Sequence, residues 1–255
     1  MKFRPCIDIH NGKVKQIVGG SLLDYGNRAI ENFVSTFDAP YYANLYQQNN
    51  LKGGHIILLN APDSKYYEKN IEQAYLALKA YPKGLQIGGG ITDENANLFL
   101  EAGASHVIVT SFVFKDGKVN YLNLEKLKDK VGKDNIVLDL SCRKKGEDYY
   151  IVTNRWQTFT NVKISEEILD ELSNYCDEYL IHAVDVEGKA SGIEKDLVYL
   201  LSDWNKISIT YAGGVGSMED IEQLKAIGHN KIDVTVGSAL DLFGGNIPFR
   251  HLLTL

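Results

Sequence analysis

Two aspartates occupy matching places in the chain: Asp8 within Cys6-Ile-Asp-Ile and Asp139 within Val137-Leu-Asp-Leu, each ending an apolar run. Two carboxyls can share acid and base work on one substrate. Their surroundings must keep one ionised and the other protonated. Two glycine-rich turns add a second kind of chemistry, Gln86-Ile-Gly-Gly-Gly-Ile91 and Ala212-Gly-Gly-Val-Gly-Ser217. Without Cβ atoms their backbone N–H groups can approach an anion. Each turn is followed by a hydroxyl-bearing run end, Thr110-Ser111 and Gly237-Ser238. Gly89, Gly90, Thr110 and Ser111 are therefore candidates for one phosphate, and Gly213, Gly214, Gly237 and Ser238 for another. The matching ligand has a phosphate at each end and reacts in the middle, between Asp8 and Asp139.

Such a site needs a scaffold that brings these run ends together. Eight short apolar runs read as strands: Phe3–Ile9, His55–Asn60, Leu85–Gly88, His106–Thr110, Asn135–Ser141, Glu178–Ala183, Lys206–Tyr211 and Asp233–Val236. Runs of this kind suit strands covered on both faces, as in parallel sheets. Helical patterns lie between them, at Glu68–Tyr81, Asp93–Ala102, Leu122–Val131, Ser165–Cys176, Lys195–Asp203 and Ser217–Ile227, with a further helix over Glu31–Gln48. In the first, Ile71, Ala74, Tyr75 and Leu78 form one stripe. Ser217 with Asp220 marks a helix start. Strict alternation over 255 residues predicts an α/β fold, a single (β/α)8 TIM barrel forming one domain over 1–255. The order aspartate, glycine turn, serine recurs at offsets of about 124–131 residues, which predicts two duplicated half-barrels. Asp8 and Asp139 then end strands one and five, on opposite sides of the barrel mouth, where such barrels carry their active sites.

Composition narrows the function classes. A net charge of −6 argues against a nucleic-acid binder. No apolar run is long enough to span a bilayer, and the N-terminus has no signal core, so the reading is a cytoplasmic protein without membrane contact. Cys6, Cys142 and Cys176 are too scattered for a disulfide framework, and the six histidines lack paired metal spacing. His55, which begins strand two, and His182, near the end of strand six, are candidates for the site, and His10 could sit beside Asp8. Arg143, Arg155 and Trp156 lie in or just after the loop that follows strand five, a polar stretch where an exposed Trp could stack on a ring. No apolar surface stripe stands out, which favours a monomer.

The stretch from Cys6 to Gly20, Gly88-Gly-Gly-Ile91, Val107–Ser111, Ala212-Gly-Gly-Val-Gly216 and Val236-Gly-Ser238 together resemble the phosphoribosylformimino-aminoimidazole carboxamide ribotide isomerases of histidine biosynthesis. Leu180-Ile-His-Ala-Val-Asp-Val-Glu-Gly188 is similar to the fungal and plant branch. The resemblance covers essentially the whole chain. It implies an Amadori rearrangement of a small bisphosphorylated aminoaldose (ProFAR) to the aminoketose (PRFAR), without metal or organic cofactor. It implies Asp8 as base and Asp139 as acid, opening the ribose to a Schiff base and then an enolamine. His55, Arg143, Trp156, His182 and Glu187 become substrate-binding candidates, and Gly20 joins the phosphate set. Bacterial members carry Asp-Gly-Thr after strand six, where this chain has His182 to Gly188. An arginine usually follows the glycine turn after strand three, where Thr92 stands, and Leu58-Leu59-Asn60 replaces an Asp-x-Asp. The alternatives are the cyclase subunit of imidazole glycerol phosphate synthase, which shares both aspartates and both phosphate sites, and a non-catalytic sugar-phosphate-binding barrel. Phosphoribosylanthranilate isomerase does related chemistry with a strand-one Cys, a role for which Cys6 is the weaker choice.

Overall fold

Ile7 and Ile9 are fully buried beneath helices, while Cys6 and Asp8, on the alternate face, point into the sheet's concave side. That alternation repeats around a computed structural model describing residues 1–18, 21–22 and 29–255. Eight strands form the barrel: β1 (Cys6–His10), β2 (Gly54–Leu58), β3 (Leu85–Gly88), β4 (Val107–Val109), β5 (Ile136–Asp139), β6 (Glu178–His182), β7 (Ser208–Ala212) and β8 (Asp233–Thr235). They pair in parallel in chain order; Asp8 lies opposite Ile57, and Asp139 opposite Leu180. The sheet closes on itself. Phe3 bridges Val234 in parallel, with Arg4 N donating to the Val234 carbonyl at 2.8 Å and Val234 N to that of Lys2 at 3.0 Å. All eight expected strands are present.

Inward side chains stack in three levels. The floor is polar: Arg4 pairs with Asp233 at 2.7 Å, and Glu178 accepts from Gln86 at 3.0 Å and from Thr210 at 2.7 Å. The middle is apolar, with Ile108, Val137, Leu180 and Ala212 packed beside Ile57. The top, at the strand C-termini, carries Asp8, Asp139 and His182. An apolar layer beneath the carboxyls keeps water from reaching them from below.

Helices α1 (Ala39–Gln48), α2 (Tyr67–Ala80), α3 (Ala96–Glu101), α4 (Tyr121–Val131), α5 (Glu166–Leu172), α6 (Lys195–Trp204), α7 (Met218–Ile227) and α8 (Phe249–Leu252) wrap the outside. Ser217 and Asp220 form a reciprocal capping box on α7. In α2 the buried face is Asn70, Ala74, Ala77 and Leu78, rotated from the expected stripe, and Tyr75 is exposed. Asn70 tolerates burial because its Oδ1 accepts from Gly12 N at 2.7 Å and its Nδ2 donates to Asn60 Oδ1 at 2.7 Å.

Three expectations need correction. Phe3–Ile9 is not one strand. Pro5 lacks an N–H, and the regular ladder starts at Cys6, with the Pro5 carbonyl accepting from His55 N at 2.9 Å. Glu31–Gln48 is not one helix either. Glu31–Val34 pairs antiparallel with Lys13–Ile17, and α1 starts only at Ala39, with Pro40 in its first turn. A proline deeper inside a helix would clash with the carbonyl four residues back. Finally, the segment after β5 is no simple loop but a three-stranded antiparallel sheet of Cys142–Lys145, Asp148–Thr153 and Thr158–Lys163.

Candidate active site

Asp8 and Asp139 line one cavity of about 430 Å³ at the C-terminal mouth of the barrel, together with His182, Glu187, Ser141 and Trp156. Barrel closure sets this meeting, because β1 and β5 stand four strands apart in the closed ring.

The two carboxyls have unlike surroundings. Asp139 Oδ1 accepts from Ser141 N at 2.9 Å, Ser141 Oγ at 2.7 Å and His182 Nδ1 at 3.3 Å. Burial works against its charge, but the nearby His182 and these donors outweigh it and hold the carboxyl below its ordinary value. Among the described residues Asp8 receives only Gln16 Nε2, at 3.1 Å. Burial first, then the charge of Glu187, lift Asp8 to about 7 against the opposing pull of His182 and Gln16. For His182, burial disfavours the imidazolium, yet Asp139, Glu187 and Asp8 together push it up to about 9. Glu187 is raised by burial, against the pull of His182. One cation thus stands among three carboxyls, of which Asp139 carries charge most readily.

The glycine turns build two cradles. Gly89 and Gly90 line the central cavity with Thr110 and Ser111. Their φ values are +101° and +73°, and a Cβ on Gly89 would fall 2.2 Å from the Leu58 carbonyl oxygen, so no larger residue fits there. Gly213, Gly214, Gly237 and Ser238 line a separate small cleft with Glu187, Gly188 and Thr235. Glu187 borders both spaces and so sits at their junction.

The remaining candidates fall in three groups. Trp156 lines the cavity; its ring lies 5.9 Å from that of His182, and its Nε1 donates to Ser141 Oγ at 2.9 Å. It ends a run of three left-handed residues, Asn154, Arg155 and Trp156, with φ of 51°, 53° and 67°. Non-glycine residues hold that conformation at a cost on the order of 1 kcal/mol each, a pattern found at binding loops. His55 is buried, its ring 6.0 Å from that of His182, and does not itself line the cavity; burial, reinforced by His182, lowers it to about 3. Arg143 also stays out of the cavity, because its Nε donates to Asp185 Oδ1 at 2.8 Å and its guanidinium sits 5.4 Å over the Phe159 ring. Gly20 lies outside the described residues.

Gln16 and Ser141 were not singled out from sequence. Gln16 reaches Asp8 because the hairpin strand Lys13–Ile17 folds back along β1, a pairing with weak local signal. Ser141, two residues after Asp139, could have been read from the tendency of Asp to bond the backbone two residues on. Gln16 Nε2 also contacts Cys6 Sγ at 3.6 Å, which puts Cys6 and Asp8 on one face as strand alternation requires. Burial pushes the Cys6 thiol well above its ordinary value, which suits a packing role rather than a base. His10 ends β1 buried, and among the described residues neither ring nitrogen has a hydrogen-bond partner. Among the described residues, no three His, Cys, Asp or Glu side chains cluster as metal ligands would.

A family described as histidine biosynthesis protein matches residues 2–247. A relative from Medicago truncatula, named as a chloroplastic 1-(5-phosphoribosyl)-5-((5-phosphoribosylamino)methylideneamino)imidazole-4-carboxamide isomerase, is 52% identical over 99% of this chain and 81% of its own length. Proteins of the same enzyme name from Neurospora crassa and Saccharomyces cerevisiae are 47% and 44% identical, each over 96% of this chain. Matched along nearly its whole length by that family and by relatives from plants and fungi, the chain belongs to the histidine biosynthesis protein family.

Proposed function

We propose that this chain is the aldose–ketose isomerase its relatives are named for, carrying the bisphosphorylated aminoaldose ProFAR to the aminoketose PRFAR by an Amadori rearrangement. One observation carries the reading: Asp8 and Asp139 face one cavity, with a glycine-built cradle within it and a second beyond Glu187. A ligand with two phosphates and a reacting ribose between them matches that layout. The Asp139 side supplies the proton that opens the ribose ring. Asp8 removes the C2 proton, and the enolamine then becomes the ketone. Each step needs a carboxyl or its partner within hydrogen-bond reach of the proton moved.

The test is turnover of the purified aminoaldose by the wild type, Asp8→Asn and Asp139→Asn. Each variant should lose at least about 100-fold in kcat while still binding the ligand, the scale of lost acid/base catalysis. Wild-type turnover retained in both variants would refute the assignment. A requirement for ammonia or a glutaminase partner would indicate the cyclase instead, and binding without turnover a non-catalytic barrel. We further propose that residues 1–255 work as one unit, as a monomer and in the cytoplasm. A single melting transition, light scattering and cell fractionation test these in turn. The chloroplastic name of the plant relative makes the last the sharpest question. Among the described residues no helix is long and apolar enough to cross a membrane.

A further inference from the structure

We infer that the proton opening the substrate ring is carried by the His182 imidazole, with Asp139 as the carboxylate that orients and retains it. This deepens the isomerase reading and rests on it. The geometry of Asp139 is the first argument. Its Oδ1 accepts from a backbone N–H, a hydroxyl and an imidazole at once. Every such bond favours the ionised form, so this carboxyl is built to remain a carboxylate. A group held that way makes a poor proton donor at the same oxygen.

The placement of His182 is the second argument. It is the last residue of β6, at the mouth, and its side chain lines the cavity. Nδ1 is turned to Asp139, so Nε2 is the nitrogen left for substrate, and among the described residues it has no hydrogen-bond partner. The ring is boxed in from two sides, by Trp156 at 5.9 Å and His55 at 6.0 Å between centroids. The Trp156 indole in turn fixes Ser141, which fixes Asp139, so the carboxylate and the imidazole are aligned by one chain of contacts. The groups whose charge acts on His182 are Asp139 from β5, Asp8 from β1 and Glu187 from the segment after β6, with neutral His55 from β2 beside it. Three acids around one imidazole keep it protonated to about pH 9.

The steps balance. Nε2–H is transferred to the ribose ring oxygen as the C1–O bond breaks, and the amine lone pair forms the C1=N bond. His182 is left neutral and Asp139 unchanged. Asp8 takes the C2 proton; the C2–H pair becomes the C1=C2 bond and the C=N π pair returns to nitrogen. In the final tautomerisation Asp8 returns its proton to C1. The proton leaving the C2 hydroxyl restores the imidazolium.

The experiment measures kcat/KM for the purified aminoaldose between pH 5 and 10. For the wild type, activity should fall on the alkaline side with an apparent pKa near 9. His182→Gln, whose amide can still donate to Asp139, should lose about 100-fold in kcat and lose the alkaline limb. His182→Gly should regain turnover on adding imidazole, in proportion to its protonated fraction. In Asp139→Asn the residual alkaline limb should move to lower pH, because the imidazolium loses its principal partner. If Asp139 were itself the donor, Asp139→Asn would abolish the limb, and His182→Gln would merely displace it. The inference is overturned if wild-type activity stays flat to pH 10, or if His182→Gln turns over within about threefold of wild type. Asp8→Asn serves as the separate control: loss of activity there with an unaffected His182→Gln sinks only this inference, whereas full activity in both sinks the isomerase reading as well.

Discussion

Replacing Asp8 by Asn should make the protein more stable, and increasingly so as pH rises. Burial and the charge of Glu187 lift the folded-state pKa of Asp8 from 3.8 to about 7. The unfolded chain therefore ionises this carboxyl at much lower pH than the folded protein does. With the folded value raised, the stabilising contribution is intact below about pH 4. It is lost progressively until the pH passes about 7. Each pH unit within that window costs about 1.4 kcal/mol. Between pH 5 and pH 8 the wild type should thus lose on the order of 3 kcal/mol through this one group, and Asn, which never ionises, should lose none of it. Asn is nearly isosteric and can still present its oxygen to Gln16, so the contact at 3.1 Å survives. The assay is thermal or urea unfolding of both proteins at pH 5, 6, 7 and 8. The difference in Tm between Asp8→Asn and wild type should widen by roughly 6–12 °C across that range, given about 2–4 °C per kcal/mol for a chain of this size. A difference that stays constant with pH, or narrows, would show that Asp8 does not hold its proton in the folded protein.

Two other outcomes follow from the same geometry. As a base, Asp8 must be ionised, so kcat/KM should rise with pH and level off above about 7; Glu187→Gln, which removes a neighbouring negative charge, should move that acid limb to lower pH in a pH–rate series. Gly214→Ala should destabilise the protein by about 2 kcal/mol or more and raise KM, since at φ +78° its Cβ would fall 2.0 Å from the Gly192 carbonyl oxygen; calorimetry and steady-state kinetics check both.

The barrel strands were legible because most read as a short apolar run buried on both faces between turn residues, as Val107–Val109 and the Ile136-Val-Leu138 part of β5 do. The hairpin after β1 was not. Lys13–Ile17 carries a lysine, Lys15, and a glutamine, Gln16, that are buried only because Glu31–Val34 and the barrel lie against them, and Lys15 pairs with Glu31. Pro40 was a visible signal that Glu31–Gln48 could not be one helix, and the amphipathic pattern obscured it. Placing Asp8, Asp139 and His182 on one inward level needed only strand parity and a closed ring. Placing Arg143 needed two partners distant in sequence, Asp185 and Phe159, and no local pattern announces such a capture. Helix ends differ from expectation by a few residues, as at α3 and α5, where flanking turns replace the outer helical residues.

The polar floor of the barrel ties the beginning of the chain to its far end. The Met1 amino group bonds to Asn230, Lys2 N donates to Asp233 Oδ1 at 2.6 Å, and the Arg4 guanidinium grips the same Asp233, all across some 229–231 residues of sequence. The upper end of β1 can pair early with the hairpin strand Lys13–Ile17, but its foot at Phe3 and Arg4 stays unpaired on that flank until the segment around Val234 has been made. Contacts of that span form late and slowly, because the closure entropy must be met before they reward it. The newborn protein must shelter that open foot of the sheet until then, and the charged residues there help keep it from recruiting the wrong neighbour in the meantime.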